Sequence, residues 1–115
     1  MAEVIWEEKV LSLRKYLLFY GSLKFGEISA NKLNDKFKEY SRLLESNPRL
    51  GKRIEFEGLE QHEIRSVLAH ECYRLYYVIE NSPDGEAVRI IDLVDTRSNP
   101  ETLPERLKNA VENKV

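Results

Sequence analysis

One cysteine, one methionine and one tryptophan stand in a chain of 115 residues, alongside five glycines and four prolines. The lone Cys72 excludes an internal disulfide, so the fold must rest on packing, and it accords with a reducing compartment. No apolar run reaches the roughly 18 residues that a membrane-spanning helix needs. The N-terminus opens on Glu3, Glu7 and Glu8 instead of a basic segment leading into an apolar one, so a cytoplasmic protein with no membrane partner is expected. HExxH, paired cysteines, a glycine-rich phosphate loop and GxSxG are all missing, which argues against metal-dependent and phosphate-loop enzymes, and no metal or cofactor is expected. Internal repeats and low-complexity segments are missing as well.

At 42% hydrophobic and 33% charged, the composition fits one compact domain spanning residues 1–115. A formal net charge of −2 and a pI near 5.8 argue against a protein that coats nucleic acid over its whole surface. A local basic patch is compatible with that balance. Lys52 and Arg53 cluster ahead of the strand patterns, and Arg65, Arg74, Arg89 and Arg97 lie within or just after them.

Val4-Ile5-Trp6 reads as a short edge strand, followed by a helix from about Glu7 to Tyr20. Val10, Leu13, Leu17 and Tyr20 recur at spacings of three and four and give that helix one apolar face. Gly21 is read as its stop. A second helix is expected from about Glu27 to Ser46, with Leu33, Phe37, Tyr40 and Leu44 inward, so that the two form an antiparallel hairpin. Asn47-Pro48 ends it, because the residue before proline is pushed out of the helical region. Lys52 to Gln61 reads as an irregular approach to the sheet, with Ile54, Phe56 and Leu59 as anchors.

From Glu63 the period changes to two, giving strands over Glu63 to Leu68, Tyr73 to Glu80 and Ala87 to Val94. Ser82-Pro83-Asp84-Gly85 turns between the last two. Alternation puts Tyr73, Leu75, Tyr77 and Ile79 on one face, assigned to the core, and Arg74, Tyr76 and Val78 on the other. Ile91 and Leu93 are their expected counterparts in the last strand, although Ile90 and Val94 on the opposite parity leave that buried face open. Thr102-Leu103-Pro104-Glu105 fits a capping box opening a weakly amphipathic helix from Leu103 to about Asn113, suited to fraying or to packing on a partner.

Among candidate chemical groups, His62 and His70 flank the first long strand pattern and read as loop histidines. The arginines are the stronger lead, because a guanidinium stays charged and grips phosphate or carboxylate with two bonds. Arg65, Arg74 and Arg97 are candidates for one surface that would hold a scissile phosphate in a nuclease, or acidic side chains in a binding module. Against this stands a purely structural role, in which Asp92 or Asp95 pairs with a neighbouring arginine and fixes the end of the sheet.

Taken in order, the opening strand with its tryptophan, the helix to Tyr20, the second helix ending at Asn47-Pro48-Arg49-Leu50-Gly51, Ile64-Arg65, Tyr73-Arg74-Leu75-Tyr76-Tyr77 and Asp95-Thr96-Arg97-Ser98-Asn99-Pro100 resemble the RelE/ParE family of toxins. Such toxins belong to type II toxin-antitoxin (plasmid stabilisation) systems. The resemblance implies an α+β fold, an N-terminal helical hairpin packed on a small antiparallel β-sheet with a short C-terminal helix. It implies a growth inhibitor neutralised by a cognate antitoxin. RelE-like members cut messenger RNA on the ribosome with basic sheet residues and, in many, a tyrosine or histidine near the C-terminus. Arg65, Arg74 and Arg97 match the basic positions, but Leu103 stands where the tyrosine would be.

The ParE-like branch, which poisons DNA gyrase, is the nearer resemblance, on the long second helix and the Pro-x-x-Gly after it. The ribosome-dependent endoribonuclease remains the alternative, and an inactive antitoxin-binding module a further one. Arg65, Arg74, Tyr76 and Arg97 are the residues expected to meet target or antitoxin. The antitoxin's flexible segment would lay apolar residues on the hairpin and acidic groups on the basic sheet face.

Overall fold

Residues rich in Val, Ile and Tyr from Glu63 onward fold into a three-stranded antiparallel meander at the centre of the molecule. The computed structural model describes residues 1–98 and 101–112. In chain order the elements are β1 (Glu3–Trp6), α1 (Glu8–Phe25), α2 (Glu27–Ser46), β2 (Lys52–Ile54), β3 (Glu63–His70), β4 (Tyr73–Ser82), β5 (Gly85–Asp95) and α3 (Leu103–Glu112). The sheet order is β1-β5-β4-β3-β2. Strands β2 to β5 pair antiparallel, while β1 joins β5 in parallel and makes the sheet mixed. The α+β arrangement matches the expectation from sequence. Asn99 and Pro100 of the Asp95-to-Pro100 run, and the expected helix end at Asn113, lie outside the described residues.

Helix α1 does not stop at Gly21 but runs four residues further, to Phe25. One glycine inside a helix costs only about 1 kcal/mol, less than the packing α1 gains. The break comes instead at Gly26, whose φ of 91° is open to glycine at no steric cost and reverses the chain within a single residue. Arg14 donates to Asn34 Oδ1 at 2.7 Å and the Trp6 indole to Ser41 Oγ at 2.9 Å, which fixes the antiparallel alignment of the chain ahead of Gly26 with α2.

Both faces of the sheet are covered. On one, Val10 of α1 and Leu33, Phe37 and Leu44 of α2 pack on Val67, Leu75, Tyr77, Val88, Ile90 and Leu93. On the other, Leu103, Leu107 and Val111 of α3, with Leu59, pack on Ile64, Tyr76, Val78, Ile91 and Val94. Leu107 and Val111 are fully buried, so α3 spends its apolar side on its own sheet.

The ambiguity in β5 has a physical source. Tyr77 pairs with Ile90 and Tyr76 with Asp92, which leaves Ile91 as an extra residue, a β-bulge. One inserted residue inverts the parity of all that follow. Ile90 and Leu93 therefore both face the hairpin, and Ile91 and Val94 both face α3.

Of the stretch expected to be irregular after Gly51, Lys52–Ile54 forms the short edge strand β2 and the remainder up to β3 is irregular as expected, with Leu59 buried and Ile54 and Phe56 packed beside it as anchors. Tyr77 secures its approach: the hydroxyl donates to the Pro48 carbonyl at 2.8 Å and accepts the Gly51 N–H at 2.9 Å. A side chain at Gly51 would begin 2.5 Å from the Ser66 carbonyl oxygen, so only glycine lets the strands approach here.

Candidate functional site

The arginines expected on one surface are divided between the two faces of the sheet. Arg65 pairs across the ladder with Tyr77 and so lies on the hairpin face, whereas Arg74 pairs with Leu68 and Val94 on the α3 face. Arg65 is half-hidden and committed: its Nε meets Glu63 at 2.9 Å and its Nη1 donates to the Gly51 carbonyl at 2.7 Å. Arg49 completes that cluster, bonding Glu86 at 2.8 Å and Glu63 at 3.1 Å. Arg97 follows β5 and is exposed, but the Asp95 carboxylate clamps it through Nε and Nη2 at 3.1 and 2.9 Å. That contact is local, between residues two apart.

Tyr76 and Arg74 remain together on the α3 face. Arg74 donates to the Ser66 hydroxyl at 3.1 Å, and among the described residues no carboxylate lies within ion-pair distance of it. Tyr76 is 9% exposed. Burial pushes its phenol up, with the Asp92 carboxylate acting in the same direction and Arg74 opposing, so it stays protonated at neutral pH and serves as a donor rather than a base.

Across from Tyr76 sits Asp92, whose buried carboxylate accepts Arg106 of α3 at 2.6 Å and the Leu93 N–H at 2.9 Å through Oδ1. Its Oδ2 is buried with no hydrogen-bond partner among the described residues. Arg89 lies on the same face, held by Glu80 at 2.9 Å, by Glu7, and by the Ala110 carbonyl at 3.0 Å. Arg106 and Arg89 thus act as two polar ties holding α3 to the sheet. The structural alternative weighed for Asp92 and Asp95 therefore holds for both: each fixes an arginine.

Neither histidine complements the arginines. His62 precedes β3 and His70 ends it, so the strand between them, at about 3.3 Å per residue, holds them more than roughly 20 Å apart. His70 has Glu71 at 3.8 Å. Cys72 is no better as a nucleophile, since burial and the neighbouring Asp95 push its thiol up. Among the described residues, Arg74 on the α3 face has a hydroxyl and no carboxylate for a partner and lies beside a protonated phenol, an arrangement suited to gripping an anion.

A further surface was missed by reading a single apolar face on α1. Tyr20, expected inward, points out and packs on Tyr16 with ring centroids 4.6 Å apart. Tyr16, Phe19, Tyr20 and Leu23 form a second stripe along the outer side of α1, continued by Phe25 and Ile28 at the helical turn. The signal was legible: these residues also recur at three and four, so α1 has apolar spacing on two sides.

No protein-family model matches the sequence, and no curated protein matches it. Among solved structures, a YoeB/ParE toxin from Agrobacterium tumefaciens is similar, with a TM-score of 0.55 over 79% of this chain and 94% of that one, at 10% sequence identity.

Proposed function

We propose, on the premise that the chain has the RelE/ParE-like toxin fold, that it is the toxin of a type II toxin-antitoxin module: a single-domain growth inhibitor neutralised by a cognate antitoxin, acting in the ParE-like manner on DNA gyrase. The observation that carries the ParE-like choice is the dispersal of the arginines. A ribonuclease site needs groups converging on one phosphate with an acid or base in reach. Here Arg65 is engaged beneath the hairpin, Arg97 is clamped by Asp95, and the phenol beside Arg74 is buried. A poison that acts by occupying its target needs no such convergence. Among the described residues, no helix is long and apolar enough to cross a membrane, which accords with a cytoplasmic target.

The ribosome-dependent endoribonuclease keeps one observation in its favour: Arg74, next to Tyr76, holds the Ser66 hydroxyl but no carboxylate among the described residues. Purified protein decides between them when added to DNA gyrase with relaxed plasmid and ATP, and separately to a translation extract. Loss of supercoiling with intact messenger RNA is expected. Cleaved messenger RNA with normal supercoiling would replace the proposal with the nuclease, and no effect in either would leave an antitoxin-binding module.

A further inference from the structure

Two opposite charges at the two ends of one groove go uncompensated within the fold. The groove lies between α1 and α2, running from Glu27, beside the Gly26 reversal, to Asn34. Its volume of about 460 Å³ is that of a small-molecule site. Leu18, Phe19 and Ala30 line it with apolar surface, and Asn31 lies between its two polar ends.

Arg14 stands at the Asn34 end, one turn of α1 before Leu18. Its guanidinium donates to Asn34 Oδ1 at 2.7 Å and lies 4.6 Å from the Trp6 ring centroid and 5.3 Å from that of Phe37. These contacts fix the group without neutralising it, and among the described residues no carboxylate lies within ion-pair distance. Burial pulls it below the ordinary arginine pKa, as desolvation of a cation without a matching anion does.

Glu27 opens α2 at the other end, exposed and, among the described residues, without a cation at ion-pair distance. The Asn31 side-chain amide and the Asn34 Nδ2 make no hydrogen bond within the described residues. The Ser22 hydroxyl donates to the Phe19 carbonyl at 2.8 Å and keeps its lone pairs for an incoming N–H.

Length selects among ligands. Asn34 follows Glu27 by seven positions, about 10 Å of helix axis. A single amino acid, at most about 3.6 Å long, falls far short, whereas three extended residues reach about 10 Å.

We propose that this groove binds a short peptide of about three residues with both ends free, its carboxylate on Arg14 and Asn34, its ammonium on Glu27, and small apolar side chains against Leu18 and Ala30. A segment inside a longer protein carries neither end charge, so the site selects free oligopeptides over folded partners. The inference is independent of the toxin reading.

The test titrates the full chain, isotope-labelled for NMR, with trialanine and with its N-acetylated, C-amidated and doubly blocked forms. Trialanine should shift the Asn31 and Asn34 side-chain amides to saturation. Blocking either end should weaken binding about tenfold, the loss of one charge contact. Added salt should weaken trialanine and leave the doubly blocked peptide unaffected. Glu27→Gln, at an exposed position, should bring trialanine and its N-acetylated form to equal affinity while the preference for a free carboxylate persists. Arg14→Gln, compared by its melting curve, should do the converse.

Doubly blocked trialanine binding as tightly as the free peptide overturns the proposal, because the groove would then read the interior of a chain. Groove amides that do not move with trialanine overturn it as well. So does acetate shifting the Asn34 amide as strongly as trialanine while Glu27→Gln changes nothing, which would leave a simple anion site.

Discussion

The two faces of the central sheet differ in what their arginines hold. On the hairpin face, Arg65 and Arg49 share Glu63, with Glu86 taking the other side of Arg49, while Arg53, opposite Arg65 in the ladder, reaches the Glu60 carbonyl at 3.4 Å. On the α3 face Arg89 is likewise paired, but among the described residues Arg74 has only the Ser66 hydroxyl, and Asp92 keeps one buried oxygen without a partner. Satisfied clusters hold a fold together, whereas a free guanidinium is available to something else. The comparison teaches that an arginine in a strand is a candidate for recognition only after its carboxylates have been counted. By that count Arg74 is left with a hydroxyl alone among the described residues, whereas Arg65 is engaged by Glu63 and the Gly51 carbonyl.

The largest expected effect lies in the cores beneath the two faces. Phe37→Ala under the hairpin should cost about 3 to 5 kcal/mol and Leu107→Ala under α3 about 2 to 5 kcal/mol in urea unfolding. If Leu107→Ala cost nothing, α3 would not cover its face in solution. Next comes the polar tie: Arg106→Leu strips the buried Asp92 carboxylate of its cation and should cost about 1.5 to 3 kcal/mol. Adding Asp92→Leu should recover most of that loss, because an apolar pair of similar volume replaces an ion pair at little net cost. A double variant less stable than Arg106→Leu would show that Asp92 has another essential partner.

A smaller effect of opposite sign is expected at Gly21, where an added methyl would meet nothing within 4 Å. Gly21→Ala should raise stability by about 0.5 to 1 kcal/mol. The smallest contribution is that of Asp95, partly exposed at the sheet end and held by Arg97 with a carboxyl pKa of about 2 against an ordinary 3.8. Its folded pKa is depressed, so its stabilisation is complete above about pH 4 and is lost as pH falls towards 2. An NMR titration of the Asp95 carboxyl should give a midpoint near 2 that moves back towards 3.8 in Arg97→Ala, while the same substitution leaves the midpoint of thermal unfolding at neutral pH nearly unchanged.

Much of the fold was legible from periodicity. Leu33, Phe37, Tyr40 and Leu44 marked the inner face of α2, and Leu75 and Tyr77 marked the hairpin face of β4, because one buried side of a regular element leaves a regular pattern. The misses fall where regularity is broken by something non-local. The bulge at Ile91 is invisible in β5 alone, since it exists only in the pairing with Tyr76 and Tyr77. Helix α1 ran past Gly21 because its packing outweighs one glycine. Among the candidate site residues, the adjacency of Arg74 and Tyr76 followed from sequence neighbourhood. The loss of Arg65 from their surface needed the register of β3 on β4, which sets Arg65 against Tyr77, three positions from Arg74. Arg106 could not be assigned to Asp92 without knowing that α3 returns to the sheet.

The most direct test of the central claim is pulse labelling of DNA and protein synthesis during the first minutes after the chain is induced in growing cells. A gyrase-directed toxin predicts that DNA synthesis falls first while protein synthesis continues, and that Arg65→Gln, if folded, acts as the wild type does. Protein synthesis stopping first, with DNA synthesis unaffected, would contradict the account.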